Sequence, residues 1–483
     1  MKHKPMSLSS KIAHNTIIQL VGKFLSTALG LISLAMMTRY LGRAGFGEYT
    51  AVINFLSFFA IIADLGLTLV TVQMISIPGV DEKKVLNNLF GLRLVSIILF
   101  IGLAPLVALF LPYSLAVKTG ILIAASSFLF PSLSQVLIGL FQKKLRMDKA
   151  VIAENVSRVI LIVGIYLSIK FNYGLNGILW ASVISAAANF LISYLLALKF
   201  IGLRPSFDKK IWGDTIKKSW PLAITIVLNL LYLKTDTLIL SLVKSPSEVG
   251  LYGAAYRIID VLSTLPFMFA GIILPLLTAY WFEQKKDLFY ITLQKSFDLM
   301  ALMSLPIIAG ALILARPIVV LVAGAEFAPS GLILKILIFA ILAIFLGCMF
   351  AHAVVAIDQQ KKMIKYYLFV SISSVLLYLI LIPKFSYLGA ASATVYSELV
   401  IALLSAYVVW RQTKFIPSFK IVSKSIIASV LMGLFLYLIP SHYFYNWSWL
   451  LVGIALSGII YFAILYLLKG ITKNDLQILL NKK

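Results

Sequence analysis

The chain has 483 residues, of which 61% are hydrophobic and 12% charged, and its mean hydropathy is +1.00. A soluble globular chain is roughly 45–50% apolar and cannot absorb the excess, because a single core stops growing near ~250–300 residues. The net charge of +24 raises the question of nucleic acid, and one cysteine, Cys348, excludes a disulfide framework or a cysteine zinc site.

Apolar runs long enough to cross a bilayer follow one another along the whole sequence. They lie at 16–38, 47–76, 86–110, 117–140, 150–170, 175–198 and 219–243, then at 252–279, 295–315, 331–354, 364–382, 388–410, 423–440 and 447–468. Each is near or above the ~20 residues needed to span a hydrocarbon core of about 30 Å. The first run is too long for a signal-peptide core, so it is expected to be the first span. The stretches Lys2–Asn15 and Ile471–Lys483 read either as amphipathic segments on the inner surface or as solvated termini.

The basic residues alternate between the connections. One side of the membrane collects about 29 of them, among them Lys83, Lys84, Lys143, Lys144, Lys217, Lys361 and Arg411; the other holds about seven, Arg39, Arg43, Lys118, Lys170, Lys244, Arg316 and Lys384. This asymmetry predicts a multi-pass protein of the cytoplasmic membrane with both termini inside. It also assigns the positive charge to topology and anionic membrane lipids, with no nucleic-acid partner.

Two segments recur. Gly47-Glu48-Tyr49-Thr50-Ala51 opens the second span, and Gly250-Leu251-Tyr252-Gly253-Ala254 opens the eighth, an offset of 203 residues. A second match links Tyr173-Gly174-Leu175-Asn176-Gly177 at span six to Phe385-Ser386-Tyr387-Leu388-Gly389 at span twelve. The expectation is therefore an all-α polytopic protein of two six-helix bundles in parallel repeat, plus two C-terminal helices. Its boundaries are 1–199 for the first bundle, 200–218 for a cytoplasmic connection, 219–412 for the second bundle, and 413–483 for spans thirteen and fourteen with the tail. Such an architecture favours a transporter working by alternating access around a cavity between the bundles.

Ionisable groups inside spans cost about 2.5–3.5 kcal/mol on insertion scales, so each is a candidate for function. The cations are Lys23, Arg93, Lys234 and Arg257; the acids, read as cavity or coupling groups, are Asp64, Asp236, Asp260 and Glu398. Lys23 and Arg93 lie toward the inner ends of their spans, Lys234 and Arg257 toward the outer ends. That arrangement suits a two-level path for a diphosphate, since a guanidinium donates bidentately to phosphate oxygens. The structural alternative is mutual neutralisation, Lys234 with Asp260 or Arg257 with Asp236. Lys335 in a first helical turn is expected to snorkel, and Glu154 and Arg158 to pair at i,i+4. No residue set suggests a cofactor, a metal site or a catalytic constellation.

The segments Thr38-Arg39-Tyr40-Leu41-Gly42, Gly47-Glu48-Tyr49, Ala63-Asp64-Leu65-Gly66-Leu67 and Glu248-Val249-Gly250-Leu251-Tyr252-Gly253-Ala254-Ala255-Tyr256-Arg257-Ile258 resemble the bacterial polysaccharide repeat-unit flippases. These belong to the multidrug/oligosaccharidyl-lipid/polysaccharide exporter superfamily. The resemblance implies outward flipping of an undecaprenyl-diphosphate-linked oligosaccharide for O-antigen, capsule or exopolysaccharide assembly, with a polysaccharide polymerase and a chain-length regulator as partners. It also implies that Arg257 faces a cationic cavity, as the matching arginine does in the similar lipid II flippases. Their other cavity arginines have no counterpart here, because Arg39 sits at a span end and span two carries Asp64. A lipid II flippase and a cation-coupled drug antiporter are the alternatives within the superfamily. A membrane glycan polymerase or ligase fits poorly, since the outer connections are short and carry no catalytic group.

Overall fold

The computed structural model describes residues 8–64, 66–76 and 79–470, and no strand occurs among them. Thirteen α-helices follow in chain order: α1 (Leu8–Asp64), α2 (Leu67–Ile75), α3 (Glu82–Leu109), α4 (Leu115–Lys143), α5 (Met147–Lys170), α6 (Gly174–Ala197), α7 (Lys209–Val243), α8 (Pro246–Phe282), α9 (Lys286–Ala323), α10 (Ser330–Ala356), α11 (Gln360–Thr413), α12 (Lys420–Leu438) and α13 (Trp447–Leu467). Residues 1–7 and the segment Ile471–Lys483 lie outside the described residues, so the reading of the termini as surface segments is not addressed there.

Helix starts follow local chemistry. Asp81, Ser114, Asp208 and Asn446 accept from backbone N–H groups one to two residues into α3, α4, α7 and α13, satisfying donors that the first helical turn leaves without partners. At Asp208 the N–H groups of Ile211 and Lys210, together with Lys84, hold the carboxyl below the usual carboxylate range.

Among the described residues, twelve helices are long and apolar enough to cross a membrane. Two of them are too long for one crossing: α1 has 57 residues and α11 has 54, against the ~20 that a bilayer requires. Each contains one non-helical residue, Gly42 (φ 62°) in α1 and Ser386 (φ 52°) in α11. At Ser386 the reversal is direct. Tyr378 Oη lies 3.5 Å from Thr394 Oγ1, whereas 16 residues of continuous helix would separate them by about 24 Å.

At Gly42 the reversal follows from neighbours. The first leg of α1 runs parallel to α5, with Asn15 accepting from Met147 N, Ser26 donating to Glu154 and Tyr40 to Asn172. The second leg runs parallel to α4, with Glu48 accepting from Ser114 and Val52 against Gly120. Gly120 also meets Leu179, and Phe130 meets Phe190, so α4 parallels α6. Ser185 donating to Ser157 and Gly164 against Ala181 make α5 and α6 antiparallel. The two legs must then oppose each other. With both reversals counted, the all-helical chain makes the fourteen crossings expected from hydropathy.

One expected span is not continuous. The run at 47–76 is interrupted after Asp64, and α2 restarts from Gly66 in the left-handed region (φ 74°). Glu154 and Arg158 also form no ion pair among the described residues; the Glu154 carboxylate instead accepts from the Ser26 hydroxyl on the first leg of α1 at 2.6 Å.

The chain groups into two compact units, Met1–Gly250 and Leu251–Lys483. In the first, α7 joins the earlier spans. Its connection is held to α3 by Ser206 N donating to Asn87 O and by Asp208 N donating to Asn88 Oδ1, and Trp212 Nε1 donates to Asn88 O. In the second unit, α12 and α13 dock on α9. Tyr461 Oη donates to Leu302 O at 2.8 Å and shares a hydrogen bond with Ser425, while Gly433 faces Ala309 and Ile313. The connection before α12 is clamped by Gln294, which both donates to and accepts from the Ser418 backbone.

Candidate functional site

In the first unit the candidate charges converge where α1 ends. A helix that stops inside a span leaves its last carbonyls without intrahelical donors, so neighbouring groups are needed to supply them. Ser96 Oγ on α3 donates to Ala63 O at 2.6 Å. Three residues earlier on α3, Arg93 is fully buried. Its Nη2 pairs with Asp64 Oδ1 and donates to Thr68 Oγ1 at 2.8 Å, and its Nη1 donates to Ser132 O on α4 at 2.9 Å. Thr68 donates in turn to Asp64 at 2.6 Å.

The guanidinium thus sits at the negative end of a helix dipole and against a carboxylate, both of which offset part of the cost of burying its charge. Its Nε has no hydrogen-bond partner among the described residues. Within the pair the exposure is unequal: the Asp64 side chain keeps 23% of its surface exposed, against 1% for Arg93.

In the second unit the candidate charges lie along α8. Tyr252 is buried and hydrogen-bonded to Thr394 at 3.2 Å on the second leg of α11, and it stacks obliquely on Tyr256. This fixes the rotation of α8 about its axis. At 100° per residue, Arg257 then lies roughly 140° away from the buried Tyr252. Arg257 is exposed, and among the described residues it makes no ion pair or hydrogen bond. Asp260 and Thr264 follow at helical spacing on the same face, and both are half-buried. The result is a polar stripe along one face of a predominantly apolar helix.

The remaining candidates are dispersed. Lys23 is exposed on the first leg of α1. Lys234 is half-buried on α7, while Asp236 two residues later is fully buried and accepts from Thr237 N. Lys234, Asp236 and Asp260 are all engaged by neighbouring groups. Glu398 is 7% exposed on the second leg of α11 and is engaged by neighbouring groups. The structure therefore unites Arg93 with Asp64 in one unit and Arg257 with Asp260 on one helix face in the other.

Sequence reading missed Thr68, Ser96 and the Ser132 carbonyl as parts of the Arg93 cluster. The available signal was Asp64-Leu65-Gly66: an acid followed by glycine within a span marks a helix end, which needs donors from its neighbours.

A family model described as polysaccharide biosynthesis protein matches residues 12–281. The capsular polysaccharide biosynthesis protein CapF of Staphylococcus aureus is 24% identical over 297 residues, covering 61% of this chain and 75% of CapF. Among solved structures, the lipid II flippase MurJ in an inward closed conformation superposes with a TM-score of 0.76 at 18% identity, covering 93% of this chain and 98% of MurJ. An inward-facing multidrug resistance MATE transporter of the MOP superfamily gives 0.67 at 15% identity, covering 83% of this chain and 98% of that one. The fold is thus the one shared by MurJ and the MATE transporters.

Proposed function

We propose that this chain, which belongs to the family of polysaccharide biosynthesis proteins, carries an undecaprenyl-diphosphate-linked oligosaccharide from the inner to the outer leaflet of the cytoplasmic membrane. It does so by alternating access, as a transporter and not as an enzyme, with both termini in the cytoplasm. The family, the relative named for capsular polysaccharide biosynthesis and the flippase-like fold support the glycan class. A polysaccharide polymerase that receives the flipped unit, and a chain-length regulator, are the partners this role requires.

The observation that carries the reading is Arg257. A guanidinium eleven residues into α8, exposed and without an ion pair among the described residues, is costly in a membrane unless water or an anion meets it. A diphosphate satisfies that demand. Its oxygens match the planar fork of arginine, and the polar groups Asp260 and Thr264 extend the same face for a hydrated head group. Arg93, buried against Asp64, is then a residue that positions the broken second span, while Asp64 offers its open edge to a coupling ion or to the passing head group. Outward movement of a diphosphate is aided by an inside-negative potential, by about 2.3 kcal/mol per charge per 100 mV.

The test replaces Arg257 by Ala and by Lys and measures glycan surface display at matched membrane levels of protein. The expectation is a loss of roughly tenfold or more for Arg257→Ala, corresponding to at least one charge-assisted contact, with partial retention for Arg257→Lys. Undiminished display in both variants would reject the role. Proteoliposomes loaded in parallel with lipid II separate the two lipid-linked substrates: faster flipping of lipid II than of the oligosaccharide lipid would assign the protein to the other substrate.

A further inference from the structure

Near the ends of α9 and α10 that lie on the cation-poor side of the membrane, the second unit contains an open cavity of about 340 Å³ lined by Arg316, Ala328, Pro329, Gly331, Leu332 and Lys335. Its size falls at the lower end of the range for small-ligand sites. The two cations reach one cavity because α9 and α10 cross closely here. A Cβ on Gly331 would sit 2.8 Å from the Arg316 Cα, so only glycine allows the approach. Ser330 fixes the start of α10 by donating from its buried hydroxyl to Leu251 O at 2.7 Å.

The electrostatics of this cavity are one-sided. Arg316 is exposed and Lys335 half-buried, and neither has an ion pair or hydrogen bond among the described residues. No carboxylate lines the cavity, and Glu326, the nearest acid in sequence, is exposed elsewhere on the connecting turn. The N-terminus of the 27-residue helix α10 adds a third source of positive potential. Lysine close behind a helix N-terminus is unfavourable unless an anion offsets both charges. Topology does not explain the pair, because the positive-inside rule crowds basic residues on the opposite side and leaves few here.

We propose that this cavity is a binding site for the anionic phosphate of a membrane lipid head group. Arg316 and Lys335 hold the phosphate oxygens, the start of α10 contributes its dipole, and the exposed Leu332 with Pro329 receives the apolar part of the lipid beside it. The site belongs to the second unit alone and does not depend on the transport reading, so it is tested by binding.

Native mass spectrometry of the full purified chain, titrated with phosphatidylglycerol or with phosphatidylcholine, counts bound lipid. The unmodified protein is expected to retain phosphatidylglycerol over phosphatidylcholine. An Arg316→Gln/Lys335→Gln variant should lose about tenfold in that occupancy, while Lys384→Gln, an exposed cation on the same side, should lose none. In the unmodified protein, phosphatidylglycerol should protect Lys335 but not Lys384 from an amine-reactive acylating reagent, a readout that needs no variant to fold. Retention that resists millimolar inorganic phosphate identifies the lipid as the ligand. Protection of Lys335 by inorganic phosphate with none by phosphatidylglycerol would overturn the lipid assignment in favour of a soluble anion, and equal lipid retention by variant and parent without Lys335 protection would overturn the site.

Discussion

Gly47 and Gly250 pack against each other reciprocally. A Cβ on Gly47 would lie 1.7 Å from the carbonyl oxygen of Pro246, and one on Gly250 would lie 2.1 Å from the carbonyl oxygen of Arg43. Each glycine thus faces the backbone four residues before the other. The sequence offset of 203 residues that relates Gly47 to Gly250 also relates Arg43 to Pro246. Reciprocal contact, in which i touches j′ and j touches i′, is the signature of a two-fold relation between equivalent segments. The two segments that match in sequence thus pack on each other at this turn.

The contact leaves no room for a side chain, which makes its first consequence easy to check. Gly47→Ala places a methyl group inside a backbone carbonyl that cannot swing aside, unlike the end of a flexible side chain. Overpacking of this kind typically costs about 1–3 kcal/mol, and a collision with backbone belongs at or above the upper end. The expected result is a marked fall in monodisperse protein and in Tm by fluorescence-detected size exclusion, with Gly250→Ala behaving alike. Gly30→Ala is the control, since nothing lies within 4 Å of a Cβ at that position. Equal stability of all three variants would contradict the close approach.

Hydropathy and charge made the fourteen crossings legible because membrane insertion acts on each segment separately: about 20 apolar residues and the sign of the flanking charge suffice. The motif at Gly250–Arg257 was legible because glycine and tyrosine at fixed spacing record a close helix approach and a buried anchor. What could not be read was pairing. Arg93 and Asp64 stand 29 residues apart on α3 and at the end of α1, and nothing in either local sequence states that they share a hydrogen bond. Nor does composition tell that Arg316 and Lys335 line one cavity, since that depends on the α9–α10 crossing set by Gly331. Periodicity was equally silent on the break after Asp64, because hydrophobic residues continue across it.

The Arg93 cluster predicts an asymmetric mutational response. Removing one partner from a buried ion pair strands the other charge and costs about 3–5 kcal/mol in soluble proteins, whereas replacing both by apolar groups of similar size costs far less. Arg93→Met and Asp64→Leu should each lower the Tm strongly, and the double variant should recover much of the loss. A Thr68→Val variant should fall in between, as it removes one hydroxyl that both donates to Asp64 and accepts from Arg93. Thermal unfolding of the parent and these four variants in one detergent measures the coupling energy. Additive losses in the double variant would show that the pair does not act as a unit.

The reversals at Gly42 and Ser386 carry a prediction about sidedness. If α11 crossed the bilayer once as a 54-residue rod, Lys384 near its middle would be buried in hydrocarbon; with the chain turning at Ser386, it lies at a surface. Cys348 is the single cysteine and is buried, so Cys348→Ala supplies a background without reactive thiols. Single cysteines are then introduced by Lys384→Cys and Ala116→Cys at exposed positions on the cation-poor side, and by Lys217→Cys and Lys361→Cys at exposed positions on the cation-rich side. With both termini inside, a membrane-impermeant maleimide should label the first two in intact cells and the second two only after permeabilisation. Silence at Lys384→Cys under both conditions would mean that α11 does not reverse. Labelling of Lys217→Cys and Lys361→Cys in intact cells, with the other two protected, would invert the orientation and with it the direction in which Arg257 offers its charge to a ligand.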